Sequence, residues 1–262
     1  MADDDQHGRH GVTARPEPRV LVVEHETNAG IGLVGERLDA AGVTVVTVGP
    51  ERGKAVPHSA EDFNGVIVLG GLPGPADDDE APWLPDVRAL IAWCLESETP
   101  LLGSCLGAQM LAYVAGGTVA GVRNGPEVGV CSVDFMPAAR QDAVLESLPA
   151  EACAVQWHWL EIIDLPGDAV LLGSSGKCPN QAFRIGPCAW GVQFHLEALA
   201  PTVAAWARSD RDDLRDLGLT SSGVIDDARR KEPLLRETWA TVADRWIDVV
   251  RRREGTAAGT VQ

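Results

Sequence analysis

Pro100-Leu101-Leu102-Gly103-Ser104-Cys105-Leu106-Gly107-Ala108-Gln109 is the stretch that decides the fold. The short apolar run from Pro100 to Ser104 has the length and composition of a strand buried on both faces. A helical pattern from Leu106 to Ala115 follows without a linker. Only a sharp strand-to-helix turn joins the two, with Cys105 as its pivot. Side chains two before and two after such a pivot would collide, and glycine stands at both places, Gly103 and Gly107. The G-x-C-x-G spacing is that of a nucleophile elbow with cysteine in the serine position. The pivot side chain then points out at the carboxyl end of the sheet, where open α/β sheets bind ligands. The helix N-terminus beneath it favours the thiolate, the reactive form of cysteine. The backbone N–H of Leu106 is left to face an oxyanion. The plain alternative is a buried cysteine beside two accidental glycines in a chain that has 28 of them.

The same alternation of elements runs outward from this turn. Arg19 to Glu24, Thr44 to Val48 and Gly65 to Leu69 read as buried strands. Gly30 to Ala41 and Trp83 to Ser97 read as helices. Strands alternating with helices predict parallel pairing and right-handed crossovers. After about residue 120 the pattern changes to short strands without long helices, at 128–135, 153–157, 169–173, 181–184 and 189–194. These predict an antiparallel layer at one sheet edge. Two helices follow, at 202–217 and 228–253. The second carries Leu234, Leu235, Trp239, Val242, Trp246 and Val249 at helical spacing, so that face is expected to be buried. The predicted fold is α/β: a flavodoxin-like open, mostly parallel sheet with an antiparallel edge layer and a helical C-terminal extension. The predicted organisation is a disordered tail at 1–17, one domain at 18–200, a helical extension packed on it at 201–253, and a frayed tail at 254–262.

Composition excludes several function classes. The chain has 262 residues, with 22 Lys and Arg against 38 Asp and Glu, a net charge of −16. A net anion of that size repels phosphate backbones and anionic membranes, so neither nucleic acid nor a membrane is an expected partner. No run of 18 apolar residues is long enough to span a bilayer. The first 17 residues lack the apolar core of a secretory signal, and His7 and His10 read as solvated tail residues. The six cysteines contain no C-x-x-C pair, which argues against a zinc ribbon or disulfide framework and fits a reducing cytoplasm. Apart from Cys105 they read as small apolar fillers. Gly30-Ile31-Gly32-Leu33-Val34-Gly35 is a literal G-x-G-x-x-G. Its first glycine lies too far past the strand for a dinucleotide turn, so it reads as a helix opening. Asp77-Asp78-Asp79-Glu80 is not a spaced ligand set and reads as a solvated loop. No G-x-x-x-x-G-K-[ST] is present.

A cysteine nucleophile needs a base. His158 and His195 are the histidines after Cys105. His195 ends the strand Trp190-Gly191-Val192-Gln193-Phe194 and is followed by Leu196-Glu197. Residues two apart in an extended segment share a face, so Glu197 can hold the imidazole of His195. The alternative is a surface His and Glu at a strand end.

The elbow, followed some ninety residues later by W-G-V-Q-F-H-L-E, resembles the class I (triad-type) glutamine amidotransferases. In particular it resembles the stand-alone type 1 form similar to the glutaminase part of GMP synthase. The resemblance covers about residues 19–250, including V-L-G-G, the G-P-E-V-G segment from Gly125 to Gly129, and C-P-N-Q-A-F from Cys178 to Phe183. It implies Cys105 as nucleophile, His195 as general base and acid, and Glu197 as orienter. It implies an oxyanion hole at Gly71 and Leu106, and substrate contacts from Gln109, His158 and Trp159. The implied reaction is hydrolysis of the glutamine side-chain amide through a γ-glutamyl thioester. No metal or organic cofactor is implied. Ammonia would pass to a separate synthetase chain, since no ATP site is visible here.

Four places depart from the family pattern. Leu196 replaces a proline between the His and Glu, and Ser104 replaces a bulky aliphatic residue before the cysteine. Leu72-Pro73-Gly74 replaces Pro-Met-Gly after the double glycine, and His158-Trp159-Leu160 replaces His-Gly-Asp. The last change motivates a rival reading, a γ-glutamyl hydrolase or transferase acting on another amide or a hydrazide. Two further rivals are an intracellular-protease-type cysteine hydrolase and a binding subunit with a relic site.

Overall fold

The structure, a computed structural model, describes residues 17–257. Residues 1–16 of the tail expected at 1–17, with His7 and His10, and the last residues, 258–262, lie outside the described residues. Strands β1 (Arg19–Val23), β2 (Thr44–Val48), β3 (Gly65–Val68) and β4 (Leu101–Ser104) alternate with helices α1 (Gly32–Ala40), α2 (Leu84–Glu96) and α3 (Leu106–Val114). Then come β5 (Thr118–Gly121), β6 (Glu127–Phe135), β7 (Glu151–His158), β8 (Leu160–Asp164), β9 (Val170–Ser174), β10 (Ala182–Ile185) and β11 (Ala189–Val192). Helices α4 (Ala200–Ser209), α5 (Arg211–Asp216) and α6 (Ser221–Ala257) follow.

One nine-stranded sheet runs β2-β1-β3-β4-β11-β10-β9-β6-β7. Pairing is parallel from β2 to β11 and antiparallel from β11 to β7. The antiparallel strands thus continue the same sheet. Alternate residues of the parallel strands feed two cores. Val20, Val22, Ile67 and Leu102 face α1, α4 and α6, whereas Leu21, Val23, Val66, Val68 and Leu101 face α2 and α3. That division explains why these strands are apolar throughout rather than alternating.

Two expectations need correction, and one ribbon was not expected. Helix 202–217 is two helices, because the chain turns at Asp210 (φ −98°, ψ 33°). The last helix begins at Ser221 rather than 228, and runs through Pro233 to Ala257, past the expected fraying point at 254. The Thr220 hydroxyl accepts the Gly223 N–H at 3.1 Å, a cap that offsets the weak helix propensity of Ser221-Ser222-Gly223. Finally, β5 and β8 form a two-stranded ribbon that the apolar pattern did not announce.

On α6 the residues Leu235, Trp239, Val242 and Trp246 are buried. Leu234, placed on that face from the sequence, is 51% exposed. Trp239 packs on Phe194, ring centroids 4.8 Å apart, and its indole N–H donates to Cys153 O at 3.1 Å. Phe194 immediately precedes His195, so α6 supports the strand end that carries the histidine. No described helix is long and apolar enough to cross a membrane.

Candidate active site

The pivot between β4 and α3 has the strained geometry its glycines require. Cys105 sits at φ 50°, ψ −108°, a region that non-glycine residues rarely occupy. A Cβ on Gly103 would stand 2.6 Å from the Gly107 carbonyl, and one on Gly107 would stand 2.0 Å from Val68 O. Neither position admits a side chain. The Cys105 N–H donates to Val192 O at 2.9 Å and fixes the turn to the end of β11.

His195 follows that same strand. Its N–H donates to Val155 O at 2.8 Å, which ties it to β7. Its Nδ1 lies 2.7 Å from Glu197 Oε1, and its ring lies beside the Cys105 side chain, both against Gly70. All three side chains are almost fully buried. Burial lowers the affinity of the imidazole for a proton, but the neighbouring Glu197 and Cys105 outweigh it and raise its pKa to about 10. Glu197 is held from two further directions. Its Oε2 accepts the Ser104 hydroxyl at 2.9 Å, and its backbone O accepts the Leu33 N–H at 2.9 Å from the first turn of α1. A Cβ on Gly32 (φ 43°) would stand 2.3 Å from that backbone oxygen. Glycine there permits the close approach, so the middle glycine of G-x-G-x-x-G opens the helix against the Glu197 loop.

The other residues singled out in the sequence gather around Cys105. A Cβ on Gly70 would stand 2.7 Å from His195 Cε1, and one on Gly71 would stand 3.1 Å from Leu106 Cδ2. The Gly70-Gly71 turn therefore touches both the imidazole and the elbow. The Leu72 N–H donates to Glu26 Oε1 at 2.6 Å, which fixes the altered Leu72-Pro73-Gly74 segment. Gln109 Nε2 donates to Leu160 O and Gln193 Oε1, both at 3.3 Å, and Gln193 Nε2 lies 3.8 Å from Cys105 Sγ. His158 is buried, with Nδ1 2.9 Å from Leu160 O and Nε2 3.4 Å from Glu127 Oε2. Among the described residues its Nε2 makes no hydrogen bond, although it lies in the wall of the pocket that holds Cys105. Trp159 is 36% exposed at the rim.

Gln109, His158, Trp159, Cys105 and His195 share one pocket of about 210 Å³. Sequence reasoning missed Glu26, Trp157, Trp206 and Asp210 in its wall. It also missed the bond from Ser104 to Glu197 and the place of Gln193. Gln193 could have been found as a polar residue in an otherwise apolar strand end. Trp206 and Asp210 carry no local signal, because only the packing of α4 and the turn after it bring them here. Burial pushes the thiols of Cys94 and Cys178 up to about 12 and those of Cys131 and Cys188 up to about 11. The acidic loop is used internally, with Asp77 accepting the Gly74 N–H and Asp78 paired with Arg88.

The sequence model of the family described as glutamine amidotransferase class-I matches residues 32–203. The chain belongs to the class I glutamine amidotransferases. Within this family it is 27% identical to the glutamine amidotransferase-like protein YfeJ of Salmonella typhimurium, over 76% of this chain and 83% of that one. It is 32% identical to one subunit of the glutamine-hydrolysing GMP synthase of Thermoplasma acidophilum, over 55% of this chain and 70% of that one. A crystallised glutamine amidotransferase from Thermotoga maritima superimposes with a TM-score of 0.80 at 29% identity, covering 89% of this chain and all (100%) of that one. The mixed sheet, parallel from β2 to β11 and antiparallel beyond, with its flanking helices is thus the class I amidotransferase fold.

Proposed function

We propose that this class I amidotransferase cleaves the side-chain amide of glutamine, or of another γ-glutamyl amide, through a thioester on Cys105. The observation that supports this is the chain of contacts at the elbow: Cys105 against His195, and His195 Nδ1 2.7 Å from Glu197 Oε1. In this reading the Cys105 thiolate attacks the amide carbon and a C–S bond forms. Backbone donors at Gly71 and Leu106 stabilise the oxyanion. The His195 imidazolium gives its proton to the departing nitrogen as the C–N bond breaks, while Glu197 keeps the ring oriented. His195 then takes a proton from water, which attacks the thioester and releases glutamate. Gln109, with Gln193 behind it, and Trp159 bound the space for the glutamyl half. Where the amide is that of glutamine, the product is ammonia, and a separate synthetase chain is its acceptor.

The test is mass spectrometry of the protein after exposure to a diazo-ketone analogue of glutamine. A single adduct on Cys105, blocked by excess glutamine or a γ-glutamyl amide, is the expected result. An unlabelled Cys105, or a Cys105→Ala variant that still hydrolyses the amide, would sink the reading.

A further inference from the structure

The proposed amide cleavage leaves open what the departing nitrogen carries, and the pocket wall behind His195 bears on it. The departing group receives its proton from His195, and Trp206 lines the pocket beside that ring. The Trp206 ring lies 4.7 Å from the His195 ring, and Trp157 lies 5.6 Å beyond Trp206. The Trp157 indole N–H donates to Asp210 Oδ2 at 2.8 Å. Imidazole, two indoles and a carboxylate thus stand in sequence along one wall. Glu26 lines the same pocket, close enough to Asp210 for the two charges to repel. Among the described residues no Lys or Arg lines this pocket, and neither carboxylate has an ion pair. The partners of Asp210 are the Trp157 indole and the Ser209 hydroxyl, and the partner of Glu26 is the Leu72 amide.

Glutamine has no cation in its departing half to meet such a wall; its α-ammonium belongs to the glutamyl half, which every γ-glutamyl amide shares. Indole faces and uncompensated carboxylates are the partners that an alkylammonium group seeks.

We infer that the preferred substrate is a γ-glutamyl amide of a diamine or polyamine, whose distal ammonium lies over Trp206 and Trp157 and pairs with Asp210 and Glu26. This rests on the amide-cleaving reading and names the amine half of its substrate. The step balances without a further reactant. The side-chain carbonyl carbon of the γ-glutamyl group exchanges its C–N bond for a C–S bond to Cys105, the amine nitrogen takes the His195 proton, and water later hydrolyses the thioester. The released amine keeps its distal charge. Burial and the neighbouring Glu51 and Asp210 work against ionisation of Glu26, opposed by its bond from Leu72, so a bound cation relieves an existing repulsion.

The experiment compares kcat/KM of the full chain for four amides: glutamine, γ-glutamyl-n-pentylamide, mono-γ-glutamyl-1,4-diaminobutane and γ-glutamyl-4-aminobutyrate. The cationic amide is expected to exceed the isosteric neutral one by about tenfold or more, and the anionic one to be slowest. Asp210→Asn, which keeps an acceptor for the Trp157 N–H, is expected to bring the cationic-to-neutral ratio toward one. Equal rates for cationic and neutral amides, or a faster anionic amide, overturn the charge preference and leave the thioester chemistry standing. If none of the four is cleaved, both readings fall.

Discussion

Ser104 Oγ donates to Glu197 Oε2 at 2.9 Å, while the other oxygen of the same carboxylate lies 2.7 Å from His195 Nδ1. The residue just before the elbow therefore holds the carboxylate that holds the imidazole. A bulky aliphatic residue, expected there from the family pattern, could not make this bond. Ser104 is a positioning residue: it touches no reacting atom. Removing a hydrogen bond to a buried charge costs roughly 1.5–3 kcal/mol. Ser104→Ala is expected to lower kcat about tenfold with KM nearly unchanged, in steady-state amide hydrolysis. A parallel rise in KM, or no change in kcat, would assign the serine to packing alone.

Gly32 permits the backbone of Glu197 to touch the start of α1. Alanine there would place a Cβ 2.3 Å from Glu197 O, at a φ of 43° that also disfavours it. The Glu197 loop has to move, and displacements near 1 Å in such a site cost on the order of a hundredfold in rate. Gly32→Ala is expected to lose activity to that order while circular dichroism keeps its native form. Wild-type turnover in the variant would show that the loop tolerates the shift.

Gly107 is a test of the elbow itself. Its Cβ would stand 2.0 Å from Val68 O, in backbone that cannot yield without disturbing β3. Gly107→Ala is expected to destabilise the fold by roughly 3 kcal/mol or more, read from urea midpoints, or to prevent soluble accumulation. A midpoint within error of wild type would contradict the close packing of α3 on β3.

Two buried histidines give stability opposite slopes with pH. His25 accepts the Trp83 indole N–H at Nδ1, 3.0 Å away, and burial lowers its pKa to about 4. The unfolded chain binds this proton more readily, so stability is lost as pH falls from about 6.5 toward 4, by up to roughly 3 kcal/mol. His195 is raised instead. Its contribution is complete below about 6.5 and is lost as pH climbs toward 10. Urea unfolding across this range should show both limbs. His25→Gln is expected to flatten the acid limb and Glu197→Gln the alkaline one. An acid limb unchanged in His25→Gln would transfer it to other groups.

The strand-elbow-helix unit was legible because its chemistry is local. Gly103, Cys105 and Gly107 are constrained by one another, and a two-residue spacing is enough to set His195 and Glu197 on one face. The ribbon of β5 and β8 was not legible. Val119 and Ala120 are only half-buried, and the pairing of β5 with β8 joins segments far apart in sequence. The break at Asp210 was missed for a related reason: nothing in Arg208-Ser209-Asp210-Arg211 forbids a continuous helix, and the turn is set by how α4 packs.

The amino-acid sequence alone determined the parallel half of the sheet, the elbow at Cys105 and the two-residue spacing of His195 and Glu197, since periodicity and short-range sterics act between neighbours in the chain. Tertiary structure alone decided what surrounds them. Ser104 meets Glu197, Gly32 meets the Glu197 backbone, and Trp206 lies against His195, each across a long span of chain. Such contacts depend on how helices and strand ends dock against each other, and close packing settles that only once the whole fold is assembled.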